Sequence, residues 1–223
     1  MGLPDHLSFP EFGIAITRRP DLGDLYWPDY DANPVGCYAK VLRGINDMDF
    51  AINCCEKKGC VIQAGGHLGM WAKKLSDIFD VVLCLEPDPN LFACMKMNLR
   101  DTKNVIIWEA ALGDSNANVN YHQHPSAGSG HIGAPHPKAK KVLQGRIDDL
   151  PLEKFGCDLI LLDVEDYEIN VLKGATATIE AYHPVIQVEI GLLTPTVADY
   201  LKTFDYMEGV RAGRDMVYEW RGR

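Results

Sequence analysis

Two strand-like segments around a glycine-rich turn constrain the fold of this chain more than any other feature. Residues 61–71 read V-I-Q-A-G-G-H-L-G-M-W, and residues 81–92 read V-V-L-C-L-E-P-D-P-N-L-F. The three glycines of the turn allow the backbone to bend tightly and to approach a ligand that side chains would block. Glu86 ends the second strand, about 20 residues beyond the first glycine, where a carboxylate can accept hydrogen bonds from ribose hydroxyls. This order of parts predicts an open α/β sheet with a nucleoside-binding crevice.

Length and charge limit the classes of protein to which the chain can belong. With 223 residues, it is long enough for one α/β domain with an added segment. It carries 22 Lys and Arg residues against 31 Asp and Glu residues, a formal net charge of -9, and no long basic run. Because nucleic acid binding relies on neutralising phosphates, no nucleic acid partner is expected. The sequence also shows no apolar run long enough for a signal peptide or a membrane span, so the protein is expected to stay where it is made.

The seven cysteines predict free thiols rather than disulfides. Their number is odd, and they are scattered through segments that are predicted as strands and helices, where free cysteine serves as a small apolar residue. A cytoplasmic location is the simplest setting for them. Cys54, Cys55 and Cys60 lack a second pair of ligands at zinc spacing, so no structural zinc site is predicted.

The chain is predicted to divide into an N-terminal cap segment, residues 1–57, and a main domain, residues 58–223. Five prolines before residue 35 predict irregular structure, followed by a helix from Gly44 to Lys57. Tyr26, Trp27 and Tyr30 cluster in the cap, where they can cover the surface of the core or line an acceptor pocket. Covering is the favoured role.

From residue 60 onward, short apolar runs alternate with helical stripes, which is the pattern of β-α-β units in a parallel sheet. Residues 158–163 form an apolar run between two aspartates, which predicts a central strand buried on both faces, with Asp163 at its carboxyl end. Ligands bind at that end of the strands in α/β sheets. The predicted strands are Cys60–Ala64, Val81–Leu85, Val105–Trp108, 158–163 and 184–190, followed by an antiparallel pair near 205–210 and 215–220.

Residues 121–141 combine glycines and prolines with His122, His124, His131 and His136. This composition predicts a mobile loop over the site or beside it. Four histidines invite a metal interpretation, but no carboxylate lies at ligand spacing, and a flexible segment cannot hold a fixed geometry. We therefore expect no metal site, and histidines that are solvated or contact an acceptor.

Six motifs, in order, resemble those of FkbM-type S-adenosylmethionine-dependent methyltransferases. They lie at residues 61–69, 85–89, 111–114 (A-L-G-D), 147–150 (I-D-D-L), 162–165 (L-D-V-E) and 171–175 (V-L-K-G-A). The resemblance implies an α/β fold of the class I methyltransferase type, with a Rossmann-like, doubly wound, mostly parallel sheet and an antiparallel C-terminal hairpin strand. It also implies S-adenosyl-L-methionine as the cofactor, and transfer of its methyl group to a hydroxyl of a small-molecule or carbohydrate-like acceptor.

The resemblance further implies which residues bind the cofactor. They are Gln63, Gly65, Gly66, His67, Gly69, Glu86, Pro87, Ala110, Ala111 and Asp163. Three positions depart from the family pattern, since Gln63 stands where Asp is usual, His67 where Asn is usual, and Asp166 where Gly is usual. Gln63 can still accept a hydrogen bond, but it lacks the charge that would strengthen a bond to an ammonium group.

Methyl transfer from a sulfonium requires mainly that the acceptor atom be aligned with the methyl carbon. A hydroxyl acceptor also requires a base that removes its proton as attack proceeds. The candidate bases are Asp163, Glu165, Glu189 and His131. The sequence leaves open whether Asp163 orients the methionine moiety or accepts the proton, and Glu165 could equally stabilise the start of a helix.

Two other functions fit the same sheet. A nicotinamide-dependent oxidoreductase is less favoured, because G-G-H-L-G lacks the G-x-G-x-x-G order and because the tail is predicted to be a hairpin. Gln63 keeps open a non-catalytic, nucleoside-binding descendant of the methyltransferases. The pattern specifies neither the acceptor nor an oligomeric state.

Overall fold

The N-terminal segment folds into a three-stranded antiparallel sheet followed by a long helix. The structure, a computed structural model, describes residues 4–222. Its first elements are β1 (His6–Phe9), β2 (Ile14–Arg19), β3 (Leu25–Pro28) and α1 (Pro34–Cys54). The prediction of irregular structure is therefore wrong for the described part of the cap. Residues 1–3 of the predicted cap and Arg223 of the predicted main domain lie outside the described residues.

The prolines that suggested irregular structure lie at the boundaries of these elements. Pro10 and Pro20 each begin a single 3-10 turn that ends in a glycine with positive φ. Pro34 lies in the first turn of α1, where its missing N–H has no partner inside the helix. Asn33 caps this helix, since its side chain accepts a backbone N–H bond from the first turn. The helix therefore begins at Pro34 instead of Gly44.

The rest of the chain alternates strands and helices. In chain order these elements are β4 (Cys60–Ala64), α2 (Met70–Ser76), β5 (Val81–Leu85), α3 (Pro89–Asn98), β6 (Val105–Trp108), β7 (Ala111–Leu112), β8 (Ala117–His122), β9 (His131–Gly133), β10 (Lys140–Gly145), β11 (Leu159–Leu162), α4 (Glu168–Lys173), α5 (Thr176–Tyr182), β12 (Val185–Glu189), α6 (Thr194–Lys202), β13 (Val210–Ala212) and β14 (Asp215–Tyr218). The predicted bounds of β4, β5 and β6 are confirmed.

Seven strands form one sheet in the order β13-β14-β12-β11-β4-β5-β6. β12, β11, β4, β5 and β6 are parallel, whereas β14 pairs antiparallel with both β12 and β13. This confirms the predicted, mostly parallel sheet with an antiparallel C-terminal hairpin. β11 is central and all four of its residues are buried, as predicted for a strand covered on both faces. The carboxyl ends of the parallel strands lie at one edge of the sheet.

Helices cover both faces of this sheet. On one face, Met48 of α1 and Leu75 of α2 are fully buried against the strands. On the other face, Leu172 of α4, Ile179 of α5 and Leu201 of α6 are fully buried. Burial of apolar side chains on both sides stabilises the sheet and confirms the doubly wound arrangement.

The cap sheet packs on the main sheet's helices through a third apolar cluster. Ile16, Tyr26 and Trp27 are buried there beside Leu68 and Leu91. The aromatic residues of the cap therefore cover core surface, as predicted. The division of the chain between residues 57 and 58 stays a prediction.

A second sheet, in the order β7-β10-β8-β9, occupies the region that was predicted to be a mobile loop. β8 pairs with β10 and with β9, which places His122 opposite His131 with their rings stacked at 5.0 Å. Tyr121 and Val142 are buried between these strands. The prediction was wrong because the strands are short, and the glycines and prolines between them dominate the local composition.

Within residues 4–222, the seven cysteines form no disulfide, as predicted. Most of them are buried, where the thiol packs as a small apolar group. Within residues 4–222, no helix combines the length and the apolar character needed to cross a membrane.

Candidate functional site

A cavity of about 400 Å³ opens at the carboxyl edge of the main sheet. Its volume falls within the range of about 300–1,000 Å³ that is usual for small-molecule sites. The residues predicted for the site that line it are Gln63, Gly65, Gly66, His67, Glu86, Pro87, Ala110, Ala111, His131, Asp163, Glu165 and Glu189. Most of them lie at or just beyond the carboxyl ends of β4, β5, β6, β11 and β12, which the parallel sheet brings to one edge, whereas His131 comes from β9 of the second sheet.

The glycine loop after β4 bends close to the neighbouring strand ends. The N–H groups of Gly65 and Gly66 both donate to the carbonyl oxygen of Leu85, at 3.1 and 2.8 Å. Gly65 has a φ of 81°, and a Cβ atom at this position would overlap the carbonyl oxygen of Asp163. Only glycine accommodates both the conformation and the close approach.

Glu86 lies just beyond β5, and its side chain is nearly enclosed, at 4% exposed. One carboxylate oxygen accepts the N–H of His67 and the other the N–H of Asp88, each at 2.8 Å. Burial raises the pKa of Glu86 to about 8, although these N–H donors favour the ionised form. Each carboxylate oxygen has a further lone pair, so the group can also accept hydrogen bonds from hydroxyls in the cavity.

Gln63, which replaces the usual Asp, directs its amide toward the loop. Its Nε2 donates to the carbonyl oxygen of Gly65 at 3.1 Å, and its Oε1 lies 3.5 Å from the Sγ of Cys84. The residue is 2% exposed. The amide therefore supports the glycine loop and contributes no charge to the cavity.

His67 connects the loop to the cap and to the segment before β9. Its Nε2 lies 3.6 Å from the Sγ of Cys37 in α1, and this thiol donates to the carbonyl oxygen of Ala127 at 3.0 Å. The ring also meets Trp27 edge-on, with centroids 6.2 Å apart. Burial lowers the pKa of His67 to about 4, so its ring is neutral at pH 7.

Three carboxylates gather where β11 and β12 end. Oxygens of Asp163, Glu165 and Glu189 all lie within 4.8 Å of one another, which is close enough to hold a cation. Burial raises the pKa of Asp163, while Arg214 and Lys40 oppose that effect. Burial and neighbouring carboxylates raise the pKa of Glu165 to about 7. Glu189 forms an ion pair with Arg214, so a guanidinium already supplies positive charge to this acidic group.

The turn after β11 has an unusual backbone. Glu165 and Asp166 have φ values of 53° and 65°, a region that residues other than glycine rarely adopt. Each such residue costs about 1–3 kcal/mol and persists where the surrounding structure enforces it. The usual glycine of the family pattern falls on Asp166, which explains why glycine suits this position.

The remaining predicted residues have different roles. Gly69 does not line the cavity; it lies at the N-terminus of α2 with a φ of 82° and packs against Leu99. Pro87, Ala110 and Ala111 form an apolar part of the wall. His131 reaches the rim from β9.

Twenty lining residues were not predicted, and five of them come from α1. Cys37, Lys40, Val41, Gly44 and Asp47 recur every three or four residues, so they share one face of this helix. That spacing is a signal in the sequence, but it is lost when the helix is taken to begin at Gly44. Trp71, Arg214 and Asp215 also line the cavity, and only the packing of α2 and of the β13–β14 turn places them there.

Comparison with known proteins identifies the family to which this chain belongs. A sequence profile for the methyltransferase FkbM domain matches residues 63–218. No curated protein matches the sequence. Methyltransferase FkbM from Methylobacillus flagellatus KT is similar in structure with a TM-score of 0.54 at 19% identity, over 73% of this chain and 44% of that chain. Precorrin-6y C5,15-methyltransferase from Geobacter metallireducens GS-15 gives 0.48 at 13% identity, over 80% of this chain and 88% of that chain.

The chain thus spans less than half the length of the Methylobacillus protein, and the likeness to it shows the class I methyltransferase fold. The match to the sequence profile extends over more than half of the chain. On this ground, the chain belongs to the FkbM methyltransferase domain family.

Proposed function

We propose that this chain uses S-adenosyl-L-methionine to methylate a hydroxyl group of a small-molecule or carbohydrate-like acceptor. One observation carries the proposal: a single cavity joins the glycine loop, the carboxylate of Glu86 and the acidic group of Asp163, Glu165 and Glu189. Family membership supports methyl transfer, and the chemistry of the lining residues supports the cofactor and the hydroxyl acceptor.

The residues of the cavity fit this cofactor. The buried carboxylate of Glu86 suits a ribose diol, and Pro87, Ala110 and Ala111 offer an apolar surface for a base. The carboxylate of Asp163 accepts no hydrogen bond from other groups within residues 4–222, so it is available to an ammonium group. Gln63 cannot take that role with a charge, because its amide is bonded to the loop.

When bound, S-adenosylmethionine supplies a methyl carbon that its sulfonium activates. The residues of the chain must align the acceptor oxygen, and accept its proton as the carbon–oxygen bond forms and the carbon–sulfur bond breaks. We assign the proton to Glu165, which lines the cavity and whose pKa burial raises to about 7. A base of this pKa is substantially ionised at neutral pH and still holds a proton well. Glu189 is paired with Arg214, and His131 is exposed at the rim.

The charge around the acceptor end supports a neutral, hydroxyl-bearing acceptor. Asp47, Asp163, Glu165, Glu189 and Asp215 all line the cavity. Carboxylates accept hydrogen bonds from hydroxyls and repel anionic groups. Together with the net charge of -9, this wall disfavours a nucleic acid acceptor.

Calorimetry with S-adenosylmethionine tests the cofactor. We expect the wild-type protein to bind it, and Glu86→Ala to bind it more weakly. A folded protein that shows no binding in either form would refute the proposal.

Transfer of a labelled methyl group to a panel of sugar, lipid and polyketide-like alcohols tests the acceptor. With an acceptor found in that panel, Glu165→Gln should lower kcat by about a hundredfold or more while cofactor affinity stays unchanged. Glu180→Gln, an exposed carboxylate of α5, is the matched control and should keep full activity. Labelling of nitrogen acceptors alone would contradict O-methylation.

A further inference from the structure

We propose that Lys40, on the cap helix α1, binds the carboxylate at the amino-acid end of the cofactor. The inference rests on the proposed function and extends it, because it assigns a cofactor contact to the N-terminal cap. The motifs that resemble the family lie beyond residue 60 and contain no lysine or arginine that lines this cavity.

Positive charge is scarce in the wall of this cavity. Among the described residues that line the cavity, the only lysine is Lys40 and the only arginine is Arg214. Arg214 is already engaged, since its guanidinium pairs with Glu189 and its backbone N–H approaches Asp47 at 3.4 Å. Within residues 4–222, Lys40 forms no ion pair or hydrogen bond through its ammonium group. It is therefore the cation in this wall that can accept an anionic partner.

Lys40 lies on a helix that also reaches the glycine loop. Cys37 lies one turn before Lys40 on the same face of α1, and its Sγ lies 3.6 Å from the Nε2 of His67 in the glycine loop. Burial raises the pKa of Asp163, and the charges of Arg214 and Lys40 oppose this effect. Lys40 thus acts on the strand end to which we assign the cofactor's ammonium group, and it comes from a helix that also contacts the loop.

The carboxylate of the cofactor needs a cation to offset the negative charge of the cavity wall. The amino-acid end carries an ammonium group and a carboxylate on one carbon, so the two charges must be bound side by side. Asp163 can take the ammonium group, but the cofactor's carboxylate then enters a cavity lined by six carboxylate side chains. Repulsion between the cofactor's carboxylate and these side-chain carboxylates opposes binding unless a cation lies between them. Lys40 meets this need.

The test compares two ligands that differ at this end. S-adenosylhomocysteine carries the amino acid, whereas 5′-methylthioadenosine has the same nucleoside and a thioether but no amino acid. Calorimetry should show that Lys40→Met weakens binding of S-adenosylhomocysteine by about five- to tenfold and changes binding of 5′-methylthioadenosine by less than twofold. Lys40→Arg keeps the charge and should stay within about threefold of wild type for both ligands.

Arg43→Met is the matched control. Arg43 lies one turn further along α1, is exposed and does not line the cavity, so both affinities should stay unchanged. Lys40 is itself exposed, and circular dichroism with thermal unfolding will verify that each variant folds. Equal effects of Lys40→Met on both ligands, or no effect on either, would overturn the inference while the proposed function stands. A wild-type protein that binds neither ligand would instead refute the proposed function, and the inference with it.

Discussion

Replacement of Glu86 by Gln should separate cofactor binding from folding. The side chain of Glu86 is 4% exposed and accepts the N–H groups of His67 and Asp88, each at 2.8 Å. An amide of the same shape keeps one acceptor oxygen and places an NH₂ group, a donor, where the second oxygen was. Glu86→Gln therefore loses one hydrogen bond inside the protein and one charged acceptor for a ribose hydroxyl.

The expected magnitudes differ for the two losses. A hydrogen bond to a charged group contributes about 1.5–3 kcal/mol, which predicts about tenfold to hundredfold weaker binding of S-adenosylhomocysteine. A buried N–H without an acceptor costs about 1–3 kcal/mol. This cost is partly offset, because burial disfavours the ionised carboxylate of the wild type, whose pKa it raises to about 8, and the neutral amide avoids that penalty. At pH 8, we therefore expect the free energy of unfolding to change by about 2 kcal/mol or less.

Calorimetry between pH 6 and pH 9, with urea unfolding at each pH, measures both quantities. The ionised carboxylate is the better acceptor, so the affinity of the wild type for S-adenosylhomocysteine should rise toward pH 8. Below pH 8, the difference in affinity between the wild type and Glu86→Gln should become smaller. Glu109→Gln is the control, because this exposed carboxylate follows β6 and does not line the cavity. Equal affinities of the wild type and Glu86→Gln at pH 9 would refute the reasoning, as would an equal loss in Glu109→Gln.

Three further predictions concern stability. In urea unfolding, Gly65→Ala should lower the free energy of unfolding by about 2 kcal/mol or more, because φ is 81° and the new Cβ would overlap the carbonyl oxygen of Asp163. Gly156 has a φ of 74° but open space around it, so Gly156→Ala should lower the free energy of unfolding by only about 1 kcal/mol. Asp148→Ala should cost about 1 kcal/mol in thermal unfolding, since its carboxylate accepts N–H groups at the start of α5, and an unchanged Tm would contradict this cap. Because burial raises the pKa of Glu86 from 4.5 to about 8, the ligand-free wild type should lose stability relative to Glu86→Gln as the pH rises through that range, and a relative gain would show that the sign is wrong.

The strands of the main sheet could be predicted because each one is a local pattern. The residues of β4 and β11 are all buried, and a strand covered on both faces is a nearly continuous apolar run, which Gln63 alone interrupts in β4. Turns rich in glycine and proline mark where such runs stop. The same reasoning placed Glu86 and Asp163 at strand ends, and both line the cavity.

The cap and the second sheet could not be predicted in this way. Pro10, Pro20 and Pro34 begin turns and a helix, and composition alone does not distinguish such boundaries from irregular chain. β8 to β10 form a sheet with one small buried cluster, so their alternation is weak and their side chains are largely polar. Their structure depends on pairing between strands, which local sequence does not specify.

The sequence by itself determined the type of sheet and which strands end in residues of the site, because strand, glycine turn, helix and carboxylate follow one another within about 30 residues of chain. Only the tertiary structure decided which charges meet in the cavity. Lys40 belongs to α1, Asp163 to the end of β11 and Arg214 to the β13–β14 turn, and the packing of these elements on one sheet edge brings them together. Such contacts between distant segments depend on how helices pack and strands pair, and the periodicity within each segment does not specify those arrangements.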